Sequence, residues 1–212
     1  MIESNNNPGK FITLEGPEGA GKSTQARLLS KYLKEKGYPS VWTREPGGVS
    51  IAEQLRELLL NPDSKIFSRA ELLIYAAGRA QHTEELINPA LQAGKYVICE
   101  RYIHASLAYQ GYGRKLNLDL IRNLNDIATG GINPDLTVIF DIPVKKGLQR
   151  TKDSGNQLDR LESENLQFHR RVRKGYLKLS KEEDNIVVLD ACKSISDLHL
   201  ELISVLKNKT II

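Results

Sequence analysis

The chain has 212 residues, 40% of them apolar, with 30 basic side chains against 26 acidic and a formal net charge of +4. That supplies one core of good size, whereas a nucleic-acid binder would carry a more lopsided basic field. No apolar run approaches the roughly 18 residues of a membrane span, and the Asn-rich start from Met1 to Lys10 lacks an apolar leader, so a cytoplasmic protein with no membrane or nucleic-acid partner is expected.

The apolar run Phe11-Ile12-Thr13-Leu14 predicts a first strand, and Gln25 to Lys36 a helix. Between them Gly16-Pro17-Glu18-Gly19-Ala20-Gly21-Lys22-Ser23-Thr24 fills the pattern G-x-x-x-x-G-K-[ST] in a strand-to-helix setting. Gly16, Gly19 and Gly21 allow backbone angles closed to most residues, so successive N–H groups turn toward phosphate oxygens while the helix offers its positive end. Lys22 is expected to reach the β- and γ-phosphates of ATP or GTP. Ser23 would offer its hydroxyl to Mg²⁺, a hard cation that takes oxygen ligands.

Val41 to Thr43 predicts a second strand, followed by Arg44-Glu45-Pro46-Gly47-Gly48. In the helix that follows, Leu55, Leu58 and Leu59 form an apolar stripe that Arg56 does not share, which by spacing makes Arg56 a surface residue. Tyr75 and Arg79 stand four apart and share a helix face; they suit a flat base, and a core Tyr is the other reading. Tyr96 to Cys99 predicts a third strand, with Cys99 in the core, ending in Glu100-Arg101-Tyr102. Glu100 stands where a carboxylate can hold Mg²⁺ through its waters, or else pairs with Arg101, which is itself placed to grip an acceptor phosphate. Cys99 and Cys192 offer neither a disulfide framework nor a zinc site.

Leu136 to Phe140 and Ile186 to Leu189 predict the last two strands, ended by Asp141-Ile142-Pro143 and by Asp190, acids that also fit helix caps. The polar stretch from Thr151 to Gln157, before a helix starting near Ser163, reads as a mobile flap. Between Arg150 and Lys181 the bases alternate with Glu162 and Glu164, as on a solvated helical face. Five apolar strands alternating with helices predict an α/β three-layer sandwich, a five-stranded parallel sheet flanked by helices. The expectation is a single domain over 1–212 with a short lid at about 151–160. Ligands of such sheets bind beyond the carboxyl ends of the strands, where the phosphate loop, the Arg44 block and the Glu100 block converge. Phosphoryl transfer needs aligned phosphates, cancelled repulsion and excluded water, and these are the parts that would supply them.

Four blocks taken together resemble the bacterial thymidylate kinases: Glu15 through Thr24, Thr43 through Gly48, Glu100-Arg101-Tyr102 with Ser106 through Gly111, and Leu158 through Glu162. The likeness runs from about Phe11 to the C-terminal helix, whereas the loop alone marks only a P-loop NTPase. It implies a homodimeric enzyme that moves the γ-phosphoryl group of ATP to dTMP, with Mg²⁺ bridging the donor phosphates. It further implies that Glu18 receives the 3′-hydroxyl of the acceptor and Tyr75 stacks on thymine. Arg79 would hydrogen-bond the base's carbonyl edge, Ser106 and Gln110 would lie near base and sugar, and Tyr109 would crowd a 2′-hydroxyl. By the same likeness Arg56 and Arg101 hold the acceptor phosphate, the Arg44 block contacts it, and the bond before Pro46 is cis.

The chain departs from the family pattern in three places. Glu100 stands where the family block begins with Asp, one methylene shorter. His104-Ala105-Ser106 replaces Asp-Ser-Ser, removing a hydroxyl that could orient Arg79 and adding an imidazole, read as a surface residue. The phosphate loop has no basic residue besides Lys22, so charge neutralisation falls to the lid, to Lys152 and Arg150 with Arg160 behind them. Rival readings are a kinase of another base specificity and a non-catalytic binder. A GTP switch would need Asn-Lys-x-Asp, whereas Asn208-Lys209 is followed by Thr210-Ile211.

Overall fold

The computed structural model describes residues 9–155 and 157–212. Residues 1–8 of the polar start, and Asn156 of the flap, lie outside the described residues. The strands are β1 (Lys10–Glu15), β2 (Ser40–Arg44), β3 (Tyr96–Glu100), β4 (Leu136–Asp141) and β5 (Ile186–Asp190). All pair in parallel, in the order β2-β3-β1-β4-β5.

Parallel neighbours require crossovers long enough to span a sheet face, and helices fill them. α1 (Lys22–Glu35) links β1 to β2, and α2 (Ser50–Leu60), α3 (Ser68–His82) and α4 (Asn88–Gln92) lie between β2 and β3. α5 (Ile103–Ser106) and α6 (Leu118–Thr129) precede β4, α7 (Val144–Asp153) and α8 (Leu166–Leu179) precede β5, and α9 (Ile195–Asn208) follows it. A π-helical stretch, Leu107–Gly113, continues α5 and carries Tyr109 and Gln110.

Alternation along the strands divides the core. Ile12 and Leu14 of β1, Ile98 of β3 and Val138 and Phe140 of β4 pack under α1 and α9, against Leu29, Leu33, Leu202 and Leu206. Burial of each such leucine contributes about 1.5–3 kcal/mol relative to exposure. Phe11, Val97 and Cys99 face the other way, toward Ile87 and Tyr102. The central strands are buried on both faces, as their unbroken apolar runs predict, and edge strands β2 and β5 are half-exposed.

The flap needs correction, because residues 151–153 are the last turn of α7 and only the segment beyond Asp153 leaves the helix. The helix expected near Ser163 begins at Leu166, where the side chain of Asn165 accepts the Phe168 N–H and caps the first turn.

Candidate active site

The phosphate loop runs from the end of β1 into α1, held by contacts that admit no side chain. A Cβ added at Gly16, whose φ is +134°, would lie 2.4 Å from the Phe140 carbonyl, and one at Gly19, φ +67°, would lie 2.1 Å from that of Gly147. α7 therefore packs directly on the loop through Gly147, a residue the sequence reading did not single out. Lys22, the first residue of α1, is 8% exposed, and its ammonium donates to the carbonyls of Gly16 and Pro17 at 3.0 and 2.9 Å. Burial, reinforced by the nearby Arg101, lowers its pKa to about 8 against the pull of Glu18, so it stays charged at neutral pH.

Arg101 follows β3 with a φ of 66°, a left-handed conformation unusual for a residue with a side chain. Its N–H donates to the Leu14 carbonyl, and its guanidinium holds both oxygens of Glu18 at 2.8 and 2.9 Å and donates to the Gly16 carbonyl and the Tyr109 hydroxyl. Tyr109 in turn donates to Glu18 at 2.5 Å. The alternative reading of Glu100, an ion pair with Arg101, does not hold: Arg101 is committed to Glu18. Burial raises the Glu18 carboxyl, but Arg101, Lys22 and the Tyr109 hydroxyl outweigh it and hold the pKa at about 2.

That depression carries a stability prediction. The carboxylate's contribution is complete above its ordinary pKa near 4.5 and is lost as pH falls through about 2. Between about pH 6 and pH 3 the folded state should lose about 2 kcal/mol from this group alone. Glu18→Gln should flatten that slope in denaturant titrations; an unchanged slope would show that Glu18 is not held as its partners imply.

Glu100 ends β3 on the α1 side of the sheet, one oxygen accepting the Ser23 hydroxyl at 2.5 Å and the other the Trp42 indole N–H at 2.9 Å. Both Ser23 and Glu100 offer hard oxygen donors. No group of three or more His, Cys, Asp or Glu gathers among the described residues, so a cation here would draw its remaining ligands from phosphates and water, as Mg²⁺ commonly does.

Across the cleft the Glu45–Pro46 bond is cis, as expected, and the Pro46 carbonyl accepts from Arg56 at 2.8 Å. Arg56 is not a surface residue: it lines the cleft, where burial and the adjacent Arg44 lower its pKa. Arg44, more exposed, forks onto Glu53. Tyr75 lines the cleft and packs against a further core cluster that holds Leu72, Leu107, Tyr109 and Phe168. Arg79 is 2% exposed and donates to Glu45, Ser106, Asn125 and the Tyr102 carbonyl. The Asn125 side-chain oxygen accepts from Arg79 at 2.6 Å and so helps orient it. Gln110 donates to the buried Glu71, which Arg114 and Arg160 also neutralise.

Three further placements differ from expectation. His104 is wholly buried, its Nε2 3.1 Å from Glu183 and its Nδ1 3.4 Å from the Thr137 hydroxyl. Lys152 is exposed and off the cleft, two residues along α7 from Arg150 and so on nearly the opposite face. Arg160 is tied to Glu71 and the Leu59 carbonyl, leaving Arg150 as the lid cation that reaches the loop, donating to the carbonyls of Gly19 and Ala191 at 3.4 and 3.0 Å. Glu18 through Thr24 line the cleft with Arg44, Pro46, Arg56, Tyr75, Arg79, Glu100, Arg101, Ser106, Tyr109, Gln110 and Arg150, around a volume of about 500 Å³.

A parallel sheet whose central strand feeds a glycine-rich phosphate loop, with carboxylate, serine and arginines at the strand ends, defines a P-loop NTPase fold. The sequence profile of the thymidylate kinase family matches residues 14–202. The thymidylate kinases of Halothermothrix orenii and of an Exiguobacterium species are each 50% identical to this chain, over 196 and 197 residues, covering 92% of it and 94% and 92% of themselves. The crystal structure of thymidylate kinase from Ehrlichia chaffeensis superposes with a TM-score of 0.78 at 37% identity, covering 94% of this chain and 99% of that one. The chain belongs to the thymidylate kinase family, and is an enzyme of the kinase class.

Proposed function

We propose that the enzyme transfers the γ-phosphoryl group of ATP to the 5′-phosphate of dTMP, giving dTDP and ADP. The observation that carries this reading is the convergence on one cleft of a phosphate loop with Tyr75, a nearly saturated Arg79 and the carboxylate of Glu18. A guanidinium has five N–H groups, and four of those on Arg79 are engaged by the protein, which leaves one for a base carbonyl. Tyr75 stacks on that base, with Ser106 and Gln110 beside base and sugar. Glu18, ionised near neutral pH, accepts the 3′-hydroxyl, and Tyr109 closes the space a 2′-hydroxyl would need.

The attacking oxygen belongs to a phosphate that is already ionised, so no protein nucleophile is required and the residues chiefly cancel repulsion. Gly16 through Thr24 hold the donor phosphates. Arg56 and Arg101 hold the acceptor phosphate, with Arg44 and Pro46 shaping that corner, and Lys22 and Arg150 face the transferring group. Ser23 and Glu100 are the residues that would hold Mg²⁺, which supplies charge neutralisation of the donor phosphates. Lys152 is kept only as a reserve cation of the lid at about 151–160.

Homodimer formation is supported by exposed Leu73 on α3 and exposed Leu120 and Ile127 on α6, two helices that pack side by side. Action in the cytoplasm is supported by the two cysteines being free.

ADP release with dTMP, dUMP, dCMP, dGMP and AMP as acceptors tests the reaction; a strong preference for dTMP is expected, and preference for another base would replace the reading. Tyr75→Ala tests the base pocket. It should raise the KM for dTMP about 10- to 100-fold with kcat nearly kept, because a stacking platform contributes mainly to binding. A fall in kcat at unchanged KM would remove Tyr75 from the base.

A further inference from the structure

We propose that Trp42 is a positioning residue for the metal end of the cleft, its indole N–H fixing the carboxylate of Glu100 beside Ser23; the inference rests on the reading of Ser23 and Glu100 as the Mg²⁺ site. Trp42 pairs with Ile98 and Arg44 with Glu100 in the β2–β3 register, so Trp42 and Glu100 lie diagonally on the sheet face that α1 covers. Each Glu100 oxygen then has one donor: Oε1 accepts from Trp42 at 2.9 Å and Oε2 from Ser23 at 2.5 Å.

Trp42 is 43% exposed on an edge strand, a position where burial gives little return for so large a side chain. Its one donor is spent on Glu100, and no other side chain besides Ser23 donates to that carboxylate among the described residues. Glu100 has three side-chain torsions to fix, and a hydrogen bond from each side of the carboxylate removes the freedom that would otherwise be lost on ion binding.

Four measurements on the full-length enzyme decide it. Trp42→Phe keeps a ring and removes the N–H, and should raise the Mg²⁺ concentration that half-saturates ADP binding, read by calorimetry, about 3- to 10-fold. In a Glu100→Asp background, whose shorter side chain falls away from the indole, the same change should cost less than about twofold. Trp42 is also the only tryptophan, so in the unmodified enzyme its emission at fixed ADP should titrate with Mg²⁺. If Glu100→Ala leaves the Mg²⁺ requirement unmoved, the metal reading fails and this inference with it. A strong effect of Glu100→Ala beside an unmoved Trp42→Phe, or an equal cost in the Glu100→Asp background, overturns the inference alone. So does emission that ignores Mg²⁺, a result that needs no variant to fold.

Discussion

Lys22→Ala is expected to lower kcat about 100- to 1,000-fold while leaving the KM for dTMP within about threefold, the scale of losing one preorganised donor to developing charge. The lysine is built into the start of α1 with its stem buried and its ammonium resting on the Gly16 and Pro17 carbonyls. A cation held there needs little reorganisation to meet a phosphate that crosses the loop. The proposed base pocket, on α3 and the Tyr109 segment, takes no hydrogen bond from Lys22, so acceptor affinity should survive. Steady-state kinetics with dTMP as the varied substrate read both parameters. Loss of dTMP affinity at unchanged turnover would place Lys22 in the acceptor pocket.

Arg101→Ala should damage both the fold and the reaction. Removing one partner of this partly buried ion pair leaves the other uncompensated, which costs on the order of 2–3 kcal/mol, and Glu18 would keep only the Tyr109 hydroxyl and the more distant Lys22. Turnover should fall at least about 100-fold, because the acceptor phosphate loses its forked donor. The double variant Arg101→Ala, Glu18→Gln separates the two effects: denaturant unfolding should show most of the stability restored, and activity should stay low. Restored activity would mean that Arg101 serves Glu18 rather than the phosphate.

What could be read in the sequence was what local chemistry determines. Each strand was located to within about one residue because a parallel strand buried on both faces is an unbroken apolar run, and turn chemistry bounds it. The phosphate loop was legible because its glycines, Lys22 and Ser23 act within one turn of chain. Spacing alone misplaces Arg56, which the family likeness sets in the cleft, because helix spacing separates core from surface and cannot see a cleft, which is a second interior. His104 was taken for surface because its partners, Thr137 and Glu183, arrive from β4 and from the turn before β5.

Lys152 and Arg150 are equivalent by composition; the helix through Asp153 turns Lys152 away and leaves Arg150 at the loop. Glu71, Asn125 and Gly147 escape a local reading because each matters through a neighbour distant in sequence. A solitary Trp two residues before Arg44 was a visible signal that went unused.

The most direct test of the account is a single turnover with γ-labelled ATP, Mg²⁺ and dTMP, enzyme in excess, followed by separation of the nucleotides. The account predicts that the label passes into dTDP in step with ADP formation, and that Lys22→Ala slows this transfer without diverting it. Label released as inorganic phosphate, or retained in ATP while dTMP stays bound, would contradict it.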